Sequence, residues 1–252
     1  MHFNTYSFLK VRNTFIFVGV NEFTRKMELY DHIKQLISVD CIIFGYDEGE
    51  MKLLLFKRWI EPSKGELSLL GGWVNPDESV NDAARRVLNL ISGLDDIYME
   101  QVDVFSDVGR DPGGRVISIA YYALMKIDDQ THELVSKHSA VWVPLYERPH
   151  LIFDHDVMVE KALEKLRRKA SYELIGLQLL PEMFTLFQLR RLYSAIYQRE
   201  FDPANFRKKV LSLNVLQQLN IKNTEESRRG AYYYKFKPQS EWVTSDRIFR
   251  ID

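Results

Sequence analysis

The sequence predicts an α+β protein whose two regions have different apolar patterns. Between about Val39 and Leu145, short apolar runs alternate with turn-forming residues, which is typical of β-strands. After Asp154 the apolar residues recur at the three- and four-residue spacing of helices. A chain of 252 residues is long enough for one large domain or two small ones. We therefore predict a sandwich of mixed strands and helices followed by a mainly helical region.

The first region contains about six predicted strands. The runs CIIFGY and KLLLFKRW flank the turn GYDEGEMK, and they are followed by LSLLGGWV, QVDVFSDV, VISIAYYALM and AVWVPL. One helix is predicted from about Ser79 to Ile91, because its apolar residues share one face. These residues are Ala83, Val87, Leu90 and Ile91. The pattern indicates an α/β/α sandwich over residues 36–150 and not a doubly wound parallel sheet.

The second region begins with linker helices, which we assign to residues 151–184. Asp154 or Asp156 is expected to cap a helix that runs to about Ala170. The residues predicted to face inward on this helix are Val159, Ala162, Leu163 and Leu166. A short helix in YELIGLQLLPEMF is expected to end near Pro181, because proline interrupts the hydrogen bonds of a helix.

Residues 185–252 have the pattern of a winged helix-turn-helix domain. Thr185 and Gln188 have the spacing of a capping box at the start of one helix. Asp202, followed by Pro203 at the first helical position, is expected to cap the next helix. The segments VLQQLNIK and AYYYKFKP, on either side of NTEESRRG, predict a β-hairpin, the wing. Two closely joined helices followed by a wing are typical of DNA-binding domains.

The distribution of charge supports binding to double-stranded DNA. Residues 185–252 contain 13 Lys and Arg against 7 Asp and Glu, whereas the whole chain has a net charge of −1. A basic end on an acidic body indicates contact with a polyanion. The alternatives are a solvated charged face and a basic helix that binds a protein partner. The predicted DNA-binding residues are Gln188, Asn205, Arg207, Lys208, Lys209, Arg228 and Arg229.

The segment 72–94 resembles the Nudix box, G-x5-E-x7-R-E-U-x-E-E-x-G-U, in which U is a bulky aliphatic residue. The matching residues are Gly72, Glu78, Arg86, Leu88, Gly93 and Leu94. The three remaining acidic positions hold Val87, Leu90 and Ile91 instead. The resemblance implies the loop–helix–loop fold of a Nudix domain.

In the Nudix family, glutamates at those three positions hold the divalent cations that activate water. Aliphatic side chains can neither ligate Mg²⁺ nor accept a proton, so we predict no catalysis, no bound metal and no cofactor. The resemblance implies that Glu78 forms a structural ion pair with Arg86. A residual hydrolase, the competing interpretation, would need other carboxylates, for which the candidates are Glu100, Asp107 and Asp111.

The order of the two regions is similar to that of the Nudix-related transcriptional regulators. The resemblance extends from about Leu36 to Phe236 and includes the segment GRDPGGRVISIAYYAL. It implies that the first domain senses a small-molecule effector and that the winged helix holds operator DNA as a homodimer. It also implies that effector binding alters operator affinity. Members of this family respond to ADP-ribose, in the control of NAD metabolism, or to L-arabinose.

Two classes of effector remain open from the residues. ADP-ribose needs cations for its pyrophosphate and a platform for adenine; the candidates are Arg58, Arg110, Arg115 and Trp73. A neutral sugar needs one aromatic face and a few polar groups; the candidates are Lys57, Glu61, Trp73, Asp111 and Arg115. Trp73 is equally well interpreted as core, and Asp111 as part of a tight turn. Since the aliphatic residues of the box are expected to shrink and dry the old metal site, we favour L-arabinose, with ADP-ribose as the alternative.

The remaining features predict a cytoplasmic protein without membrane contact. The single cysteine, Cys41, excludes an intramolecular disulfide and suits a reducing compartment. No apolar stretch approaches the roughly 18–20 residues that span a bilayer. Residues 1–35 are assigned as an N-terminal extension, and we hypothesise that residues 1–26 are an over-long start before Met27. His132 and His138 are placed in a polar loop and predict no metal site.

Overall fold

The computed structural model of the protein describes residues 6–11, 14–19, 35–175, 179–224 and 230–238. The chain divides into two compact units, Met1–Leu36 and Ile37–Asp252. In the first unit, strand β1 (Tyr6–Val11) pairs antiparallel with strand β2 (Thr14–Gly19). The hypothesis of an over-long start remains a prediction, and it falls partly on residues outside the described ranges.

A seven-stranded sheet is the centre of the second unit. The strands are β3 (Leu36–Asp47), β4 (Glu50–Lys57), β5 (Leu67–Ser68), β6 (Leu70–Trp73), β7 (Glu100–Phe105), β8 (Val116–Lys126) and β9 (Ala140–Pro144). Their order in the sheet is β5-β4-β3-β8-β7, with β6 also paired to β3 and β9 to β4. The segment LSLLGGWV, predicted as one strand, forms two, because its first part pairs with β4 and its last part with β3.

Both faces of this sheet are covered, as the predicted sandwich requires. Alternate residues of β3 point to opposite sides: Ile42 and Phe44 belong to one apolar core, and Cys41 and Ile43 to the other. The second of these cores is closed by helix α1 (Val80–Ser92), and helix α2 (Asp129–Lys137) contributes to it as well. The first core is closed by helix α3 (His155–Tyr172) and continues into the C-terminal domain. The predicted fold class is therefore confirmed.

The residues that α1 buries differ in part from the prediction. Its buried residues are Ala83, Ala84, Val87, Leu88, Ile91 and Ser92, between the N-cap Ser79 and the left-handed Gly93. Leu90, predicted to lie on the apolar face, is 64% exposed. At 100° per residue the buried face is centred between Ala84 and Ile91, and position 90 lies outside that arc.

Helix α2 was not predicted from the sequence. It contains His132, and its C-cap is His138, so the expected polar loop around these histidines is wrong. The helix begins with a capping box, in which Asp128 accepts from the backbone N–H of Thr131 and the Thr131 hydroxyl accepts from that of Asp128. Only Val135 is fully buried, which explains why the apolar periodicity of the segment is weak.

Within the described residues, the winged helix domain consists of β10 (Phe184–Thr185), α4 (Leu186–Tyr197), α5 (Pro203–Ser212), β11 (Leu216–Asn223) and β12 (Ala231–Phe236). The three strands form one sheet in which β12 lies between β10 and β11. Thr185 and Gln188 form the predicted capping box, and Asp202 accepts from the backbone N–H of Asn205 at 2.8 Å. Arg228 and Arg229, at the predicted tip of the wing, lie outside the described residues.

The described helices include none with the length and hydropathy needed to cross a membrane.

Candidate effector cleft and nucleic-acid interface

A cleft lies beside strands β3 and β6, between the loops that follow β4 and β7 and the start of α3. Four of the seven candidate effector-binding residues line it: Arg58, Trp73, Arg110 and Asp111. The other lining residues include Ser38, Asp40, Ser68, Gly71, Phe153 and His155, none of which was a candidate from the sequence.

Lys57, Glu61 and Arg115 do not line this cleft. Lys57 is exposed at the end of β4, and Glu61 is exposed in the loop that follows. The guanidinium of Arg115 donates through Nη1 to the carbonyl oxygen of Ser106 at 2.7 Å, which closes the loop between β7 and β8. Spacing along the chain does not separate these residues from Arg58 and Arg110, because lining the cleft depends on the three-dimensional path of the backbone.

Arg110 is the most deeply buried cation of the cleft, with 3% of its side chain exposed. Its Nε donates to Asp154 Oδ2 at 2.8 Å and its Nη2 to Asp154 Oδ1 at 2.7 Å, a bidentate pair. Asp40 Oδ2 lies 3.8 Å from Nη2. Burial disfavours the charged form, but the hydrogen bonds that Arg110 donates to Asp154, together with the nearby carboxylates, raise the pKa of Arg110. The guanidinium is therefore held ionised inside the protein.

Arg58 places a second guanidinium in the same cleft. Its Nε donates to the carbonyl oxygens of Pro62 at 2.7 Å and Ile60 at 3.1 Å, so the loop after β4 fixes its position. The guanidinium carbon lies 5.4 Å from the centre of the Phe153 ring, within cation–π distance. Nε makes both of these bonds. The loop therefore orients the guanidinium without using its terminal N–H groups as donors.

Trp73 stands at the mouth of the cleft and not in the core, because 48% of its surface is exposed. Its carbonyl oxygen accepts from Arg86 Nη2 at 2.7 Å, so the box arginine positions the backbone of β6. Asp111 accepts from the backbone N–H of Gly113 at 2.7 Å, and the predicted tight turn is confirmed. Trp73 and Asp111 therefore each make a structural contact and also line the cleft.

The floor of the cleft is formed by two buried polar residues, Asp40 and His155. Asp40 Oδ2 accepts from the hydroxyl of Ser118 at 2.5 Å. His155 Nδ1 accepts from the backbone N–H of Leu69 at 3.3 Å. Burial lowers the pKa of His155, so the neutral imidazole is the favoured form at neutral pH. The signals that could have found these residues are the charge inside the apolar run SVDCIIFG and the DHD segment that opens α3.

The Nudix-box scaffold is intact. Arg86 donates through Nε to Glu78 Oε2 at 2.8 Å and through Nη2 to Glu78 Oε1 at 2.5 Å, and the backbone N–H of Asn75 also donates to Glu78. The hydrogen bonds from Arg86 hold the pKa of Glu78 at about 2. The predicted structural ion pair is confirmed. Gly72 is required for this packing, because a Cβ there would lie 2.7 Å from Val87 Cγ2.

The residues at the three other acidic positions of the box lie outside the cleft. Val87 and Ile91 are buried in the core beneath α1, and Leu90 faces solvent. The expectation that they shrink and dry the effector site is therefore wrong, because Val87 and Ile91 are buried in the core and Leu90 is exposed to solvent.

The proposed replacement carboxylates do not form one set. Glu100 lines another cavity, where it pairs with Lys169, whereas Asp111 lines the cleft of Arg110. Across the ranges that the structure describes, no three His, Cys, Asp or Glu side chains lie close enough together to hold a metal ion. Glu78 is engaged by Arg86. The residues present thus do not fit the divalent cations that the Nudix fold binds in enzymes.

The C-terminal domain presents an exposed basic helix. Asn205, Arg207 and Lys208 of α5 are exposed, and Lys209 is half-buried. The opposite side of α5 packs through Phe206 and Val210 into the core. Gln188 is used by the capping box of α4, so its side-chain oxygen is engaged. The arrangement leaves the first turns of α5 open to a partner.

The chain joins a Nudix fold, in which three acidic positions of the box are aliphatic, to a winged helix with an exposed basic helix. This combination defines a class of DNA-binding transcriptional regulators. The comparisons agree with this class. A model of the NUDIX domain matches residues 34–161, and a model of the NrtR DNA-binding winged helix domain matches residues 176–236. The chain therefore belongs to the NUDIX family and, with this second domain, to its transcriptional regulators.

Individual relatives share both domains or the first one. An Acinetobacter baylyi protein named ADPR responsive transcriptional repressor NtrR is 28% identical over 227 residues, which cover 88% of this chain and 90% of that protein. An ADP-ribose pyrophosphatase of Methanocaldococcus jannaschii is 33% identical over 141 residues, 54% of this chain and 76% of that protein. The crystal structure of Shewanella oneidensis NrtR complexed with a 27mer DNA matches with a TM-score of 0.67 and 29% identity, and the match covers 84% and 98% of the two chains.

Proposed function

We propose that this protein is a transcriptional regulator that binds ADP-ribose in the cleft of Arg58 and Arg110. The observation that carries the proposal is that Arg58, Arg110 and the half-exposed Trp73 line the same cleft. A pyrophosphate offers acceptor oxygens to both arginines, and adenine would stack on Trp73. The Acinetobacter relative is named ADPR responsive, which supports the same effector.

L-arabinose, which the sequence alone favours, is the weaker candidate. A neutral sugar can accept hydrogen bonds from the two arginines but offers no opposite charge to offset the desolvation of both cations, whereas a pyrophosphate does. The reason for preferring a pentose was a smaller and drier site. Val87 and Ile91 provide no such site, because they pack in the core away from the cleft.

We propose that ADP-ribose is bound without being hydrolysed. Hydrolysis of a pyrophosphate in this fold needs cations held by carboxylates. In this chain the corresponding positions hold two buried aliphatic residues, Val87 and Ile91, and one exposed aliphatic residue, Leu90. The similarity to an archaeal pyrophosphatase reflects the shared domain.

The proposed partner of the C-terminal domain is operator DNA, bound by a homodimer in the cytoplasm. Helix α5 would enter the major groove, with Asn205 and Arg207 or Lys208 near base edges. The wing and the exposed face of α4 would contact phosphates, which position the protein without reading sequence. The exposure of the first turns of α5 supports this orientation.

Helix α3 offers a physical route from the cleft to the winged helix. At its start, Asp154 holds Arg110. Near its end, Arg167 Nε donates to the carbonyl oxygen of Ile196 at 3.1 Å, and the Tyr197 hydroxyl donates to the carbonyl oxygen of Arg167 at 3.0 Å. A phosphate that competes with Asp154 for Arg110 would weaken the contact at the start of α3. Because the other end of α3 is hydrogen-bonded to α4, a shift of α3 would reach the winged helix. Operator affinity changes if ADP-ribose binds the two arrangements unequally.

Titration calorimetry of the purified protein tests the effector assignment. We expect ADP-ribose to give saturable heat with one molecule bound per protomer, both with and without Mg²⁺, and L-arabinose to give none. Saturable heat from L-arabinose alone would overturn the proposal in favour of a sugar sensor. Continuous heat from ADP-ribose with Mg²⁺ would indicate turnover and therefore a hydrolase.

A further inference from the structure

Two side chains at the floor of the cleft are largely buried, and each has one polar atom without a hydrogen bond to a described residue. Asp40 and His155 are only 6% and 3% exposed. Asp40 Oδ1 and His155 Nε2 lie 3.7 Å apart, which is too far for a hydrogen bond. Neither atom makes a hydrogen bond to any other described residue. Because both residues line the cleft, a polar group bound there would supply the partner that these two atoms lack among the described residues.

The neighbouring contacts determine what each atom offers. The backbone N–H of Leu69 donates to His155 Nδ1, so this nitrogen is an acceptor and the ring proton is assigned to Nε2. The Ser118 hydroxyl donates to Asp40 Oδ2, which leaves Oδ1 as the free acceptor. The floor therefore presents one N–H donor and one carboxylate acceptor side by side.

The backbone opposite Asp40 keeps this acceptor uncovered. Gly71 of β6 pairs with Asp40 of β3 across the sheet. A Cβ at position 71 would lie 2.4 Å from Asp40 Oδ1, so any side chain there would collide with the carboxylate. Both residues line the cleft, and the glycine therefore serves access to Oδ1 as well as strand pairing.

We infer that Asp40 and His155 form a subsite for a sugar hydroxyl, which accepts from His155 Nε2 and donates to Asp40 Oδ1. A phosphate would be repelled by the carboxylate, whereas a hydroxyl satisfies both atoms at once. Arg110 Nη2 lies 3.8 Å from Asp40 Oδ2, so this subsite adjoins the cation assigned to the pyrophosphate. The inference rests on the proposed function, and within it the group bound at the floor is the terminal ribose of ADP-ribose.

A comparison of ADP-ribose with ADP on the wild-type protein tests this subsite without any variant. ADP keeps the adenosine and the diphosphate but lacks the terminal ribose. We expect ADP to bind at least about tenfold more weakly by calorimetry, as the loss of a charge-assisted hydrogen bond predicts. Equal affinity for the two ligands would overturn the subsite and leave the proposed function standing. Absence of binding by both ligands would overturn the proposed function and the subsite with it.

The Asp40→Asn variant assigns the effect to the residue. We expect it to weaken ADP-ribose binding by about tenfold and to leave ADP binding unchanged or tighter, because a negative charge near the diphosphate is removed. The matched control is Asp103→Asn, the same change on β7, where the carboxylate pairs with Lys161 outside the cleft. An equal loss of affinity for both ligands would mean that Asp40 only supports the fold, and it would overturn the subsite.

Discussion

Under the proposed function, Asp154 stabilises the fold through its pair with Arg110 and also competes with the diphosphate of ADP-ribose for this guanidinium. Replacing Asp154 with asparagine tests both effects. Asp154 accepts hydrogen bonds from Arg110 Nε at 2.8 Å and from Nη2 at 2.7 Å. Asparagine keeps one acceptor oxygen, but its NH₂ group would face an N–H of the guanidinium. Asp154→Asn therefore removes a charge and at least one of the two bonds, whereas Asp40 remains 3.8 Å from Arg110.

We expect this substitution to lower the free energy of unfolding by about 1–3 kcal/mol, the cost of leaving a buried charged group incompletely satisfied. The larger loss that follows when a fully buried ion pair is broken does not apply. The Asp154 side chain is 21% exposed, and Arg110 retains Asp40. For a chain of this length, Tm should fall by roughly 2–10 °C.

The same substitution should strengthen the binding of ADP-ribose, by up to about tenfold, because the diphosphate no longer competes with Asp154 for Arg110. Thermal melting and calorimetry measure the two effects, with Asp103→Asn as the control for loss of an exposed pair. That control should change the unfolding free energy by at most about 1 kcal/mol. Weaker ADP-ribose binding together with an unchanged Tm in Asp154→Asn would refute the idea that Arg110 is shared.

Three further predictions concern the DNA interface, the linker and the box. If Lys208 contacts a phosphate, Lys208→Ala should lower the slope of log affinity for DNA against log salt by about one; an unchanged slope would remove Lys208 from the interface. Tyr197→Phe deletes the hydrogen bond to the Arg167 carbonyl and should reduce the effect of ADP-ribose on operator binding while leaving ADP-ribose affinity within about twofold. Undiminished coupling would exclude this contact from the route. Because Arg86 depresses the pKa of Glu78 from 4.5 to about 2, the stabilisation from this pair is complete above pH 4.5 and lost as the pH falls through 2. The Tm difference between the wild type and Glu78→Gln should therefore close over that range, and a constant difference would contradict the role of the ion pair.

Local signals explain the parts of the fold that the sequence predicts well. The capping box of Thr185 and Gln188 and the Asp202–Pro203 pair specify helix starts within four residues, and both occur in the structure. Helix α2 has its own capping box, but threonine occupies the position where glutamate or glutamine is expected. With a single fully buried residue, this helix carries too little apolar periodicity to be detected.

The cleft depends on contacts between residues that are distant in the chain, and the sequence predicts it only in part. Arg58 and Arg110 belong to separate loops, and Arg110 is held by Asp154, 44 residues further along the chain. Residue chemistry identified both arginines as candidates, but it also selected Arg115, whose guanidinium closes a loop. Asp40 was missed because its strand is otherwise a continuous apolar run, in which the charge is explained only by the cleft beside it.

The choice of effector shows how the misplacement of a few residues changes a functional prediction. The preference for a pentose depended on Val87, Leu90 and Ile91 shrinking and drying the former metal site. Leu90 is exposed, and the other two residues are buried in the core beneath α1. Once these residues are removed from the cleft, its two arginines dominate its chemistry, and ADP-ribose becomes the better candidate.

The most direct measurement is the affinity of the full-length protein for an operator duplex, selected from a random pool, with and without saturating ADP-ribose. Fluorescence anisotropy at a fixed salt concentration provides both values. We predict specific binding without ADP-ribose and a fall in affinity of about 5–150-fold with it, the usual range of coupling between two sites. An affinity that ADP-ribose leaves unchanged, although calorimetry detects its binding, would contradict the proposal that the cleft controls the winged helix.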